Sequence, residues 1–264
     1  MSVRFSAPIA LFENGWRIAA SEKVILLFGM CYNSLFIFLF AAIWRYTPFS
    51  MKADQGLNFT NMVWYVTITE LVMFSSGQFM HQVRSDILSQ QLTGLMGRPL
   101  PYWRIKMLQL LGRGLLNSLV LSAAIFSAAY FITGQWPFTL TSGLAVLAST
   151  LMALLIAVPA SFAIGILDVW GQYARPVYWI WQKSLFVFGG LMLPLSLYPE
   201  WMQRIAALTP FPAMVNLPGT MVFKPDASGF IWTLMRQFFW LGALMLVAIL
   251  LHNAVRRHIG ATGD

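Results

Sequence analysis

Six stretches of the chain stay apolar for about twenty residues, the length that a bilayer core demands of a helix. They run approximately over residues 24–44, 60–80, 110–132, 143–166, 177–197 and 231–251. The pattern predicts an all-α membrane protein with six transmembrane helices in a single domain over residues 1–264. The second stretch is the least apolar, because it contains Glu70 and several hydroxyl residues.

Between the fifth and sixth stretches lies LPLSLYPEWMQRIAALTPFPAMVNLP, residues 193–218. Proline breaks it too often for a span, yet it is too apolar for an ordinary surface loop. Pro199 suits the first position of a short helix and Glu200 its positive end, while Pro210 and Pro212 stop it. Met202, Ile205 and Ala206 then share one face and Arg204 takes the other. The expectation for residues 198–230 is a re-entrant helical segment, its non-helical backbone sheltered by protein. Pro199, Trp201, Pro210 and Phe211 are its candidate gate residues.

Two further stripes stand out. Phe5, Ile9, Phe12 and Trp16 recur at spacings of four, three and four, which predicts an amphipathic interfacial helix over residues 1–23. The first apolar run comes too late and is too long for a secretory signal peptide. In the fourth span Ala145, Ser149, Ala153, Ala157, Ser161 and Gly165 follow one another at spacing four. In lipid, small residues let helix backbones approach closely, so this stripe marks a packing interface. Pro159 is expected to kink that helix.

Composition supports the membrane class. Hydrophobic residues make up 58% of the 264 and charged residues 10%, against about 25% charged in a soluble domain. Mean hydropathy is +0.68. The net charge of +8 is explained by topology rather than by nucleic acid, for which no binding pattern occurs. Ten Lys and Arg residues fall on the side of the termini and four on the other, so both termini are expected in the cytoplasm of a multi-pass cell-membrane protein. The region over residues 198–230 is then extracytoplasmic. Arg113, Lys183 and Arg236 fall inside spans near their ends and are read as snorkelling. The single cysteine, Cys31, and the scattered His81, His252 and His258 form no metal pattern. The histidines are read as interfacial or solvated.

The longest cytoplasmic loop, residues 81–109, places Leu88, Leu92, Leu95 and Met96 at helical spacing before RPLP at 98–101. Ile87, Ser89, Leu92 and Arg98-Pro99-Leu100 resemble the corresponding loop of ABC-2-type transporter permeases, in particular the six-span viologen-exporter-like subfamily. Leu88, Gln90 and Gln91 depart from that pattern. Gly189, Gly190, Pro194, Pro199, Trp201, Thr209, Pro210, Phe211 and Pro218 resemble the family's region between spans five and six.

The resemblance implies a membrane-spanning subunit of an ATP-driven exporter, surrounded by lipid and paired with a second permease chain, identical or paralogous. It also implies a coupling helix in the 81–109 loop that docks on a separate ABC ATPase subunit. Asp86, Ile87, Leu92, Arg98 and Pro99 are the candidate coupling residues, with Asp168 in the second cytoplasmic loop. The chain has no GxxxxGK followed by Ser or Thr, so ATP and Mg would be bound by that partner. No cofactor is expected here, and no catalytic constellation points to an enzyme. Glu70 is the candidate translocation-path residue, since an ionisable group at that depth is costly. The alternatives are a secondary transporter, which calls for inverted repeats and broken helices at the midplane, and a non-transport assembly protein.

Overall fold

The computed structural model describes residues 3–46, 57–90, 92, 94, 100–223 and 227–262. All regular elements among them are helical, and they include no strand. In chain order the α-helices are α1 (Val3–Ser21), α2 (Lys23–Arg45), α3 (Phe59–Ser76), α4 (Phe79–Leu88), α5 (Tyr102–Thr133), α6 (Leu140–Gly165), α7 (Ala174–Phe188), α8 (Glu200–Ala207), α9 (Phe211–Met214), α10 (Asn216–Thr220) and α11 (Ala227–Thr262).

Among the described residues four helices are long and apolar enough to cross a membrane: α2, α5, α11 and α6 with the 3₁₀ turn that follows it. The other two expected spans take different forms. The 60–80 stretch is divided. Its helix α3 ends at Ser76, whose hydroxyl bonds back to the Val72 and Met73 carbonyls, and Gly77 and Gln78 join it to α4. The 177–197 stretch is interrupted. Its helix α7 has 15 residues and ends at Phe188, capped by Gly189, and Gly190 follows with φ +67°, a left-handed conformation that favours glycine. Fifteen residues give about 22 Å of helix, short of the ~30 Å hydrocarbon core. By contrast α5 starts at Tyr102, well before residue 110, and α11 runs past both ends of 231–251.

Helix α6 is the centre of the bundle. Its apolar window is 83% buried, against 17–28% for the other three long helices. It runs unbroken through Pro159. The six small residues of its stripe are used within the chain. Ser149 meets Gln237 of α11. Ala157 and Ser161 border a gap of about 20 Å³ shared with Tyr178 and Gln182 of α7. Gly165 lies so close to α4 that a Cβ there would be 2.6 Å from the Val83 Cβ. Ala145 and Ala153 complete the row, half-buried and buried.

Helix α1 lies against α5. A Cβ on Gly15 would fall 1.8 Å from the Gln109 carbonyl oxygen, and one on Gly112 would fall 2.1 Å from that of Phe12. The two backbones touch where both helices lack side chains. The inward face of α1 is therefore Gly15 and Ala19, both buried. The expected aromatic stripe flanks this face: Phe12 and Trp16 are half-buried and Ile9 is exposed, while the Phe5 side chain lies outside the described residues. Close backbone approach, rather than the apolar stripe, sets how α1 is rotated.

This crossing makes a direct prediction. Gly112→Ala should loosen α1 at a cost of about 1–3 kcal/mol, seen as faster tryptic cleavage at the exposed Arg17. Gly242→Ala in α11, where a Cβ would meet nothing within 4 Å, should leave cleavage unchanged.

Candidate functional site

At one end of the bundle, α4 is gripped from two sides. Asp86 accepts from Lys106 of α5 at 2.8 Å and from the Tyr102 hydroxyl at 3.0 Å. Arg84 donates through Nε to Asp168 at 2.6 Å, in the turn after α6. The other Asp168 oxygen accepts the Ala174 amide, the first of α7, at 2.7 Å. Tyr178 of α7 donates to the Gly77 carbonyl at 3.0 Å, at the joint between α3 and α4. Hydrogen bonds thus tie a ten-residue helix to α5, to the turn below α6 and to α7.

The candidate coupling residues separate accordingly. Asp86 and Asp168 point inward, into ion pairs. Ile87 is half-buried against the core and Leu92 is buried. Arg98 and Pro99 lie outside the described residues. The face of α4 that remains exposed carries His81, Ser85 and Leu88, one above another at spacings of four and three. Partial desolvation of its ring first, then the charges of Arg84 and Arg175, hold the His81 imidazole below its ordinary pKa, so this face is neutral near pH 7.

Two corrections concern charged and titratable groups. Arg113 does not snorkel: it is buried in α5 and forms a two-toothed ion pair with Glu22, at the α1–α2 junction. His252 is buried, with its ring against Tyr102 and Phe162. Lys183 stays exposed on α7 with its ammonium 4.8 Å from the Trp179 ring centroid, and Arg236 donates to the Ala207 carbonyl.

The opposite end holds the broken segment between α7 and α11. Pro199 caps α8 rather than starting it, and Glu200 is its first residue. The short helix ends at Ala207, three residues before Pro210, and Pro210 also caps the next helix, α9, with Pro212 inside its first turn. Residues 212–219 are all buried. Their depth follows from one contact. Gln237 of α11 donates to the Ala213 carbonyl at 3.0 Å and to the Ser149 carbonyl at 2.9 Å, and accepts from the Ser149 hydroxyl at 3.2 Å. Ser149 is ten residues from the Thr139 cap of α6, about 15 Å along the helix. The chain therefore dips halfway into the bundle and returns.

A second polar knot holds its flanks. Tyr65 of α3 donates to the Gly190 carbonyl and also contacts Asn216, whose Oδ1 accepts the Leu195 amide at 3.0 Å. Thr69 donates to the Leu191 carbonyl at 2.7 Å. Gly219 packs so tightly on Tyr65 that a Cβ would lie 2.6 Å from its ring. Of the expected gate residues, Phe211 packs edge-on against Trp181 of α7 with centroids 4.9 Å apart. Pro210 is half-buried, and Pro199 and Trp201 are exposed.

The acidic residue of α3, Glu70, is 1% exposed, and its Oε1 makes no hydrogen bond. The carboxyl is enclosed within the bundle. Sequence reasoning missed Tyr65, Asn216 and Gln237. Gln237, an amide inside an apolar span, was a visible signal: polar groups at that depth bond to something.

No family model matches the chain, and no curated protein matches it.

Removing one partner of a buried pair strands the other. Asp86→Asn, which leaves the Lys106 charge buried, should destabilise the protein by about 3–5 kcal/mol, and Asp168→Asn should do likewise through Arg84. Thermal unfolding in detergent measures both. Glu200→Gln, at a pair exposed on both sides, should leave the midpoint unchanged.

Proposed function

We propose that the chain is the membrane-spanning permease subunit of an ATP-driven exporter of the ABC-2 type. It forms a translocation path with a second permease chain and is driven by a separate ATPase subunit that binds ATP and Mg. The two shorter crossings, α3 and α7, complete six spans. The α4 end then faces the cytoplasm and the broken segment faces outward.

The observation that carries this reading is the clamp on α4. A short helix outside the long apolar spans, fixed by ion pairs to α5 and to the turn below α6, is a rigid lever. A partner pushing on His81, Ser85 and Leu88 moves those helices together, because each ion pair resists separation of buried charges. Asp86, Arg84 and Asp168 transmit the force rather than touch the ATPase. The half-sunken segment over α8–α10 supports an outer closure of the path, consistent with broken backbone being tolerated only where protein shelters it. Glu70 is reached by a cationic substrate only when α3 moves, since its carboxyl is enclosed.

The broken helices also favour a second reading, a secondary transporter, in which such breaks sit near the midplane. Copurification separates the two. Tagged protein taken from its native membrane in mild detergent should carry a P-loop ATPase, identified by peptide sequencing and by vanadate-sensitive hydrolysis. Leu88→Glu should lower the recovered ATPase about tenfold, the effect of losing ~1.4 kcal/mol at an interface, with the permease itself still folded. Recovery of the chain without any ATPase, or recovery indifferent to Leu88→Glu, contradicts the exporter.

A further inference from the structure

Three helices meet beside the joint between α3 and α4 and leave the gap of about 20 Å³ between them. Ser76 reaches it from the last turn of α3, Ser161 from α6, and Tyr178, Trp181 and Gln182 from one face of α7. Met214 of α9 closes it on the side of the sunken segment. The walls cannot collapse inward. The Tyr178 hydroxyl is tied to the Gly77 carbonyl at 3.0 Å, and its ring stands edge-on to His81 with centroids 5.6 Å apart. Trp181 is held edge-on against Phe211. The α6 side chains, Ala157 and Ser161, are too short to fill the space. A void there would cost its walls their contacts.

The polar groups decide what fits. Ser161 is 6% exposed, and its hydroxyl makes no hydrogen bond among the described residues. The Ser75 and Thr150 oxygens are sealed within the packing, but that of Ser161 keeps surface toward the gap. The Ser76 hydroxyl commits its proton to the Val72 and Met73 carbonyls, and Tyr178 commits its own to Gly77. Both of those oxygens have only lone pairs left to offer. Gln182, half-buried beside the Tyr178 hydroxyl, brings an amide that can donate and accept. An occupant must therefore donate to Ser76 or Tyr178 and can accept from Ser161 or Gln182. One water does both, and the gap exceeds the ~10–15 Å³ that one water needs. A cation would find oxygens too, but no carboxylate among the described residues borders the gap to offset its charge. A halide would face the lone pairs of Ser76 and Tyr178.

We propose that this gap is a binding site for one structural water, which joins Ser161 of α6 to Ser76 of α3 and to Tyr178 and Gln182 of α7. Water-mediated bonds are nearly as good as direct ones. The water therefore ties the α3–α4 joint to the centre of the bundle, between the clamped helix α4 and the sunken segment. The site depends on neither the ATPase nor transport, so failure of the exporter reading would leave this result standing.

The test is hydroxyl-radical footprinting of the full chain in phosphatidylcholine vesicles. A short X-ray pulse makes radicals from water where the water sits, and peptide mass spectrometry locates the oxidised methionines. Four methionines give an internal comparison that needs no variant. Met214 borders the gap, whereas Met62, Met80 and Met221 do not, and all four are 0–3% exposed. Met214 should be oxidised several-fold faster than the other three. Ser161→Val, which removes the hydroxyl and narrows the gap with methyl groups, should bring Met214 down to their rate. Loss of folding cannot imitate that result, because unfolding raises oxidation at all four. Ser122→Val, at a hydroxyl that bonds within α5, should leave Met214 fast. Oxidation of Met214 no faster than that of Met80 in the unmodified chain, or fast oxidation that survives Ser161→Val, overturns the proposal. A Met214 rate that changes when sodium is exchanged for potassium also overturns it, by placing a cation in the gap.

Discussion

A peptide group away from water must find a partner within the protein, and the stretch between Phe188 and Met221 is where this chain meets that demand outside a long helix. Helices satisfy their own amides and carbonyls, but the turns between α7, α8, α9 and α10 cannot. The chain answers with side chains from α3, from α11 and from within the segment itself. Tyr65 and Thr69 of α3 take the carbonyls of Gly190 and Leu191, Asn216 takes the Leu195 amide, and Gln237 of α11 takes the Ala213 carbonyl. These bonds position α3, α6 and α11 around one sunken segment, so the bundle closes on it. The same bonds spare those polar side chains the cost of being buried alone.

Electrostatics governs the other end. Four of the five ion pairs among the described residues fall outside the broken segment, and three of those join distant elements: Glu22 with Arg113, Asp86 with Lys106, and Arg84 with Asp168. In each of these pairs one side chain is almost wholly buried, and separating it from its partner is expensive. The glycine crossing of α1 on α5 adds contact without side chains. One end of the bundle is thus a rigid frame, while the opposite end is a packed but interrupted one.

Much of this was legible in the sequence. The apolar runs located all four long helices, since length and hydropathy alone decide them. The prolines and glycines of 189–218 announced a broken segment, and its burial follows from its apolar composition. Other features were hidden by their chemistry. Glycine at positions 15 and 112 gives no signal of partnership until the helices cross. Asp86 and Asp168 read as coupling residues turned toward a partner, because a charge's partner lies across the fold: Asp168 is 84 residues from Arg84. Arg113 read as snorkelling because it lies near a span end, and only tertiary structure brings Glu22 to it. Pro199 and Pro210 were correctly placed at helix boundaries, yet proline alone did not tell a start from a stop.

The central claim is that the broken segment is sunk to mid-depth and held there by polar side chains from α3 and α11. Single cysteines placed at Leu208, which is exposed, and at Ala213, which is buried, test it in a Cys31→Ser background with a membrane-impermeant maleimide. The account predicts rapid labelling at position 208 and protection at position 213. It also predicts that adding Gln237→Leu uncovers position 213. Equal labelling at the two positions, or protection at 213 that is indifferent to Gln237, would contradict it.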